Sequence, residues 1–337
     1  MIRINSKRIL FYPFTILLIL LFAIGLNFFY KKIAHKSFAG KHIKCVIAIN
    51  STKFSLLPGL NYELLKEFAK DADFSPEILL AQTKENYIDS LKYEKADIVI
   101  LNTKDTINTS DLLISAPVGD DFIWIVNKTE RLKVKKINDW FSKFSKTDKY
   151  NELNKRFRTN YNPISRSLTQ EKYKHLSPYD EQIKRYAIQI EWDRKLLTAL
   201  IYQESKFSIC ARSYKGAMGM MQIMPRTANH YGWDDIIDPE ASIKAGTAYL
   251  KKLQRKFRKY AKNKIELQKF TMAAYNAGAS RIMDCIMIAE EKGTTKHTWK
   301  ELCSIMPMIN FNYSETTAYV ENIMKIYSIL NEISIEP

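Results

Sequence analysis

The sequence predicts a mixed α+β protein in several parts: an N-terminal membrane-spanning helix, a small α/β lobe and an all-α C-terminal domain. Three observations carry this. Residues 9–30 hold no charged side chain. From Ile43 to about Lys146, short apolar runs alternate with amphipathic ones. Beyond Pro178, strand-like alternation does not return. A chain of 337 residues is long enough for two compact domains and connecting segments. With 46% hydrophobic and 26% charged residues, its composition is that of a folded protein.

The first segment, ILFYPFTILLILLFAIGLNFFY, follows Arg3, Lys7 and Arg8. Crossing a bilayer takes about 20 apolar residues, whereas the apolar core of a cleavable signal is roughly 7 to 15. The length favours a retained anchor over residues 9–30 with a basic cytoplasmic tail at 1–8. Ser37 and Ala39 are small enough for a cleavage site, but they lie beyond Lys31 and Lys32, far from the apolar run. Lys31, Lys32 and Lys36 make the second flank basic too, which weakens the positive-inside signal. The rest of the chain is expected outside the cytoplasmic membrane, in the cell envelope.

In residues 43–146, CVIAI, EILLA, DIVIL and FIWIV read as strands, and NYELLKEFAKDA and INDWFSKF as helices. Strand–helix alternation implies crossovers and parallel pairing. Residues 147–177 are polar and basic without a sustained period and read as a linker. Ser177-Pro178, with Asp180 and Glu181 following, has the form of a helix start and opens a helical domain over 178–335.

Within that domain, DRKLLTALIYQES places Leu196, Leu197, Leu200 and Ile201 on one stripe, with Glu204 four beyond Leu200 and three beyond Ile201. A carboxyl facing an apolar interior without a cation has a raised pKa and can act as a general acid near neutral pH. The alternative is a glutamate at a frayed helix end, facing water. Ser213 and the small-residue turn Gly216–Gly219 follow, and MMQIM reads as the start of another helix with the single amide Gln222. Tyr275 and Asn276 precede a second small-residue break. Aromatic and amide groups beside a groove suit sugar rings, which offer both apolar faces and hydroxyls; Gln222 as a satisfied core amide and Asn276 as a turn cap are the structural alternatives.

The lobe's "VIAIN", "PGLNYELLKEFAKD", "ADIVILN" and "SAPVGDDFIWIVNK" resemble one lobe of bacterial extracellular solute-binding proteins of the amino-acid type. Those proteins close two lobes on a ligand; here the chain supplies little more than one, so the lobe reads as truncated, and ligand sensing by it competes with a structural or docking role. The set "ES" (204–205), "GAMGMMQIMP" (216–225), "AAYNAG" (273–278) and "ETTAYV" (315–320) resembles the catalytic domain of the soluble-lytic-transglycosylase family, with Met220 where leucine is more usual. The whole arrangement is similar to the F-type membrane-bound lytic murein transglycosylases.

The resemblance implies a lysozyme-like fold, no cofactor, and cleavage of the β-1,4 bond between N-acetylmuramic acid and N-acetylglucosamine without water, leaving a 1,6-anhydro end. It implies one carboxyl, Glu204, as acid and then base. Hydrolysing glycosidases normally use two carboxylates about 5 to 9.5 Å apart; with the substrate's own acetamido group stabilising the cation, the second becomes dispensable. It also implies substrate contacts at Ser213 and Gln222, a contact of Tyr275 with Glu204 or the sugar, a place for Asn276 in the groove, and supporting positions at Met221, Glu315 and Tyr319. Glu315 fits equally well as a first-turn helix acid. A second carboxylate would come from Asp234, Asp235, Asp238 or Glu240, of which Asp238-Pro239 and Glu240 read as a helix start. The rival readings are a lysozyme-like hydrolase, a non-catalytic wall-binding scaffold and a sensor.

The expected partners are peptidoglycan strands, the cytoplasmic membrane through residues 9–30, and other cell-wall enzymes. A formal charge of +16 asks for an anionic partner, and KKLQRKFRKYAKNK (251–264) carries eight Lys/Arg and no acid. It reads either as a solvated helix face or as a surface for stem-peptide carboxylates or anionic lipid. Export argues against nucleic acid. Cys45, Cys210, Cys285 and Cys303 show neither CxxC nor metal spacing, so no metal is expected; they read as buried thiols, with Cys285–Cys303 or Cys210–Cys285 as candidate bridges in an oxidising compartment.

Overall fold

The computed structural model describes residues 16–26, 37–49, 55–82, 87–105, 111–119, 121–169, 173–233, 236–291, 293, 295–309 and 313–333. Residues 16–26 form a helix, α1, inside the expected anchor; the remainder of 9–30 lies outside the described residues. Among the described residues, no helix is long and apolar enough to cross a membrane. The protein is mixed α+β and folds as two compact units, one within residues 1–50 and 60–154, the other within 51–59 and 155–337.

The first unit is built on β1 (His42–Ile49), α2 (Leu57–Ala72), β2 (Ser75–Gln82), α3 (Tyr87–Lys92), β3 (Ile98–Asn102), β4 (Leu112–Ile114), β5 (Phe122–Asn127) and α4 (Arg131–Phe144). The sheet order is β2-β1-β3-β5-β4. β1 pairs in parallel with both β2 and β3, as crossovers require, with Val46 opposite Leu79 and Val99. Parallel pairing stops there. β5 runs antiparallel to β3, and β4, three residues long and not marked by sequence periodicity, runs antiparallel to β5. One sheet face buries Val46, Val99, Leu101 and Ile125 under Tyr87 and Ile88 of α3. Elsewhere in this unit Phe38, Phe68, Trp124 and Trp140 form an edge-to-face and tilted aromatic cluster, and the Trp140 indole N–H donates to Asp71 at 2.9 Å.

Residues 147–177, expected as a linker, instead hold two helices, α5 (Asp148–Arg158) and α6 (Pro163–Ser167). The basic composition of α5 hides a narrow stripe: Leu153 and Phe157, four apart, are buried. Asn162 caps α6 by accepting from the N–H groups of Ile164 and Ser165. Arg166, buried despite its charge, lies over the rings of Tyr161 and Tyr173 and donates to the carbonyls of Asn160 and His175.

The second unit is helical: α7 (Asp180–Gln189), α8 (Arg194–Ser205), α9 (Pro225–Tyr231), α10 (Pro239–Phe257), α11 (Lys264–Ala277), α12 (Ala279–Glu291), α13 (Trp299–Ile305) and α14 (Tyr313–Glu332). The helix start expected at Ser177-Pro178 comes at Asp180. Ser177 makes a turn with Asp180, accepting from the Tyr179 N–H and donating to the Asp180 carboxylate, so it does not cap α7. α8 is buried nearly all round, with Leu196 through Ile201 inaccessible, and it packs against α14 and α7. Asp193 caps its N-terminus through the Lys195 N–H. Cys45, Cys210, Cys285 and Cys303 are free thiols, and neither candidate bridge is formed.

Candidate active site

α8 ends one residue after Glu204, where Lys206 and Phe207 both take positive φ and turn the chain away. The carboxyl therefore sits at the end of an apolar helix, half-buried, with α14 alongside. On α14, Thr316, Tyr319, Val320 and Ile323 form the buried stripe, and the Tyr319 hydroxyl donates a hydrogen bond to Glu204 Oε1. Burial pushes the Glu204 pKa up from 4.5 to about 7; the Tyr319 hydrogen bond, which favours the carboxylate, pulls it down only in part. Among the described residues, no cation contributes to the shift.

The stretch MMQIM is not a helix. Residues 218–223 form a tight turn in which Met218 bridges both Arg212 and Ile223, and the next helix waits until Pro225. Two positions enforce this. Gly219 has φ +76°, and a Cβ there would stand 2.2 Å from the Ile236 carbonyl oxygen. Gln222 has φ +47°, an uncommon conformation for a side-chain-bearing residue, and its amide nitrogen donates to the carbonyls of Ala211 at 2.9 Å and Gly219 at 3.0 Å. Periodicity sees the apolar neighbours and misses this side-chain tie.

Ser213 occupies a neighbouring loop, where its hydroxyl accepts from the Ala217 N–H at 3.0 Å. Met221 is fully buried, its side chain seated against Gly246 of α10, and its carbonyl accepts from the Tyr275 hydroxyl at 2.7 Å. Tyr275 is thus committed to backbone; it senses Glu204 through space, since burial first and then the Glu204 charge raise its pKa. Tyr319, raised by the same two causes, makes the direct bond. Asn276 accepts from the Thr316 hydroxyl at 2.9 Å, tying α11 to α14.

Glu315 lies in the first turn of α14, exposed, 4.0 Å from the Lys215 ammonium. Asp238 caps α10 through the Ala241 N–H, and Glu240 pairs with Arg185 at 3.1 Å. Asp234 and Asp235 lie outside the described residues.

A cavity of about 260 Å³ opens beside these groups, lined among others by Gln222, Thr227, Trp233, Tyr249, Tyr275 and Asn276. Glu204 is not part of this lining; Tyr275, which is, feels its charge. The aromatic wall continues outward: Tyr249 lies 5.6 Å from Tyr275 and 6.2 Å from Tyr231, whose ring stacks on Trp233 at 4.8 Å. Lys252 sits over the Tyr231 ring and donates to its hydroxyl. Tyr231, Trp233 and Tyr249 are not marked by periodicity; an aromatic recurrence at 231, 233 and 249 is the available signal, and two segments, the end of α9 and α10, must meet before it means anything. Among the described residues, no group of three or more His, Cys, Asp or Glu side chains could hold a metal.

Residues 181–298 match the family model described as the transglycosylase SLT domain. The chain carries an SLT domain. It is a homologue of proteins named membrane-bound lytic murein transglycosylase F. One from Desulfosudis oleivorans is 28% identical over 274 residues, covering 76% of this chain and 59% of that protein. Another, from Photobacterium profundum, is 24% identical over 311 residues, covering 83% and 59%. The chain thus spans about three fifths of the length of these two relatives. Among solved structures, the 70 kDa soluble lytic transglycosylase SLT70 from Escherichia coli is 27% identical, covering 46% of this chain and 24% of that one, with a TM-score of 0.36. Glu204, Gln222 and Tyr275 fall inside the SLT match, whereas Glu315 and Tyr319 fall beyond it on α14, so the site draws on chain outside the matched segment.

Proposed function

We propose that the protein is a peptidoglycan lytic transglycosylase in which Glu204 alone performs the proton chemistry. The observation that carries this reading is a half-buried carboxyl, raised to about 7 with no cation among the described residues contributing, next to an aromatic-walled groove inside an SLT domain. A carboxyl with that pKa is protonated and deprotonated in comparable amounts near neutral pH, as a group that serves first as acid and then as base requires.

Protonated Glu204 donates to the glycosidic oxygen as the bond from C1 of N-acetylmuramic acid breaks, and the acetamido oxygen supports the electron-poor carbon. The resulting carboxylate then takes the proton of the muramyl 6-hydroxyl while O6 bonds to C1. Glu204 returns to its starting state, no water is consumed, and the product ends in a 1,6-anhydro ring. The commitments of Asp238 and Glu240 to helix α10 and Arg185 fit a reaction with one working carboxyl. The ring faces of Trp233, Tyr249 and Tyr275 suit the apolar faces of sugars, with the polar groups of Asn276 and Thr227 nearby for hydroxyls. The fold of this domain reads as lysozyme-like.

Residues 9–30 read as an uncleaved anchor, consistent with the names of the relatives, and place the SLT domain at the outer face of the cytoplasmic membrane. Residues 43–146 read as a solute-binding-like lobe.

The test is mass spectrometry of muropeptides released from purified sacculi by the protein and by Glu204→Gln. Products lighter by one water than hydrolysis products, and absent with the variant, are expected. Reducing ends would refute the anhydro-forming reading in favour of a hydrolase. Binding of sacculi without release by either protein would point to a scaffold.

A further inference from the structure

The outer face of α10 and the turn after it carry more positive charge than their neighbours use: Lys252 bonds Tyr231 and Lys259 lies over the Tyr260 ring, while most of the run makes no ion pair among the described residues. Its inner face is spent on Leu250, Leu253 and Phe257, all buried, and on Gln254, which bonds the Trp192 indole and the Ile190 carbonyl. Lys251, Lys252, Arg255 and Lys256 are exposed, followed by exposed Arg258, Lys259, Lys262 and Lys264. Lys296 joins them from a distant stretch, donating to the Lys259 carbonyl at 2.7 Å, and a backbone bridge between Ala261 and His297 holds the two segments together. Among the described residues, the one ion pair this run makes is Arg258 with Glu191 at 3.9 Å, both exposed.

Helix stability accounts for only part of the run. Arg255 and Lys256 lie in the last turn of α10, where the helix dipole favours cations. Lys262 and Lys264 stand at the opposite kind of end: Asn263 caps α11 and Lys264 is its first residue, so the dipole there disfavours positive charge. Cations held against the local field point to a partner outside the chain.

The patch is continuous with the groove. Tyr249 lines the cavity, Lys252 bonds Tyr231 at its rim, and Lys256 lies about 10 Å along the helix from Tyr249. A glycan seated against the aromatic wall would hang its peptide stems, with their free carboxylates, within reach of these ammonium and guanidinium groups.

We infer that the exposed cations of α10 and the α10–α11 turn, centred on Arg255, Lys256, Lys259 and Lys262, bind the carboxylates of peptidoglycan stem peptides, so that the enzyme prefers peptide-bearing glycan to bare glycan. This rests on reading the groove as a glycan site. Because the cations are exposed, the attraction is screened by salt over roughly 10 Å at 0.1 M.

The test separates this from the chemistry by measuring binding in the full-length Glu204→Gln background, where no cleavage is needed. Affinity is compared for intact sacculi and for sacculi stripped of stem peptides by an amidase, with and without the added substitutions Arg255→Gln, Lys256→Gln, Lys259→Gln and Lys262→Gln. The expected result is a loss of about tenfold on intact sacculi, from four exposed pairings of modest strength each. The loss shrinks at high salt, and stripped glycan is bound equally well by both proteins. Equal losses on the two glycans, no loss on intact sacculi, or no binding of either glycan overturns the inference. A loss confined to phosphatidylglycerol vesicles also overturns it and assigns the patch to a lipid surface. If the protein proves not to form anhydro ends, this binding difference still stands or falls by itself.

Discussion

Replacing Glu204 by glutamine should make the protein more stable while making it inactive. Burial raises the carboxyl from 4.5 to about 7. A folded-state pKa above the unfolded value means that the folded protein binds the proton more tightly. The stabilising contribution is therefore fully present below about pH 4.5 and is lost as pH rises through about 7. Above that, an ionised carboxylate sits where water is scarce, at a cost of about 3 kcal/mol. Glutamine has the same shape, carries no charge and still offers an oxygen to the Tyr319 hydroxyl. Glu204→Gln is accordingly expected to gain about 3 kcal/mol over the parent at pH 8.5 and close to nothing at pH 4.5. Denaturant unfolding of both full-length proteins at the two pH values reads the difference, and subtraction removes every other titrating group. A gain of the same size at both pH values would mean that the substitution acts by packing, and the argument from burial would fail.

Three more outcomes follow from the geometry. Tyr319→Phe removes the one bond that favours the Glu204 carboxylate; the pKa rises, and the alkaline limb of kcat/KM for peptidoglycan cleavage moves up by about one to two pH units. An unmoved limb would sever Tyr319 from the acid. Gly219→Ala forces a methyl to within 2.2 Å of the Ile236 carbonyl at φ +76°, so a loss of roughly 3 kcal/mol or more in denaturant stability is expected; a loss under about 1 kcal/mol would show that the turn relaxes freely. At Gln222, alanine loses both amide bonds and keeps the positive φ, whereas glycine relieves the backbone. Gln222→Gly should therefore melt above Gln222→Ala, and the reverse order would put the strain elsewhere.

The legible parts of the sequence were those written by local periodicity. The β1, β3 and β5 runs and the stripe ending at Glu204 stand out because apolar residues cluster locally, and the structure buries them, whereas the β2 run forms its strand with Leu79 exposed and Ala81 buried. β4 is three residues long, too short to carry a period. α5 was hidden by its Lys and Arg content, although two buried apolar residues suffice to dock it. That β5 runs antiparallel to β3 depends on how the chain between them returns to the sheet, information that no single strand holds. The same limit applies at the site. Tyr319 reaches Glu204 across 115 positions of sequence. Tyr231, Trp233 and Tyr249 become one wall only after α9 and α10 pack. The helix expected at MMQIM failed because hydrophobicity says nothing of a glutamine amide that bonds two carbonyls and holds its own backbone left-handed.

The cross-brace at Arg166 bears on where this domain can be cut. Asn160 and His175 are held to one guanidinium, and the short helix between them, α6, lies against α14, the helix that presents Tyr319 to the acid. A fragment trimmed to the family match, residues 181–298, would discard α14 itself, and one begun at Ser177 would keep α14 but strip its cover. A transplantable module of this protein therefore needs the chain from near Lys155 onward together with residues 51–59, whose Ser55 carbonyl accepts from the Ser208 hydroxyl, well outside the residues by which a family is recognised. Grafting experiments, chimeras and ancestral comparisons that respect only the recognisable motif would move the acid without the scaffold that tunes it.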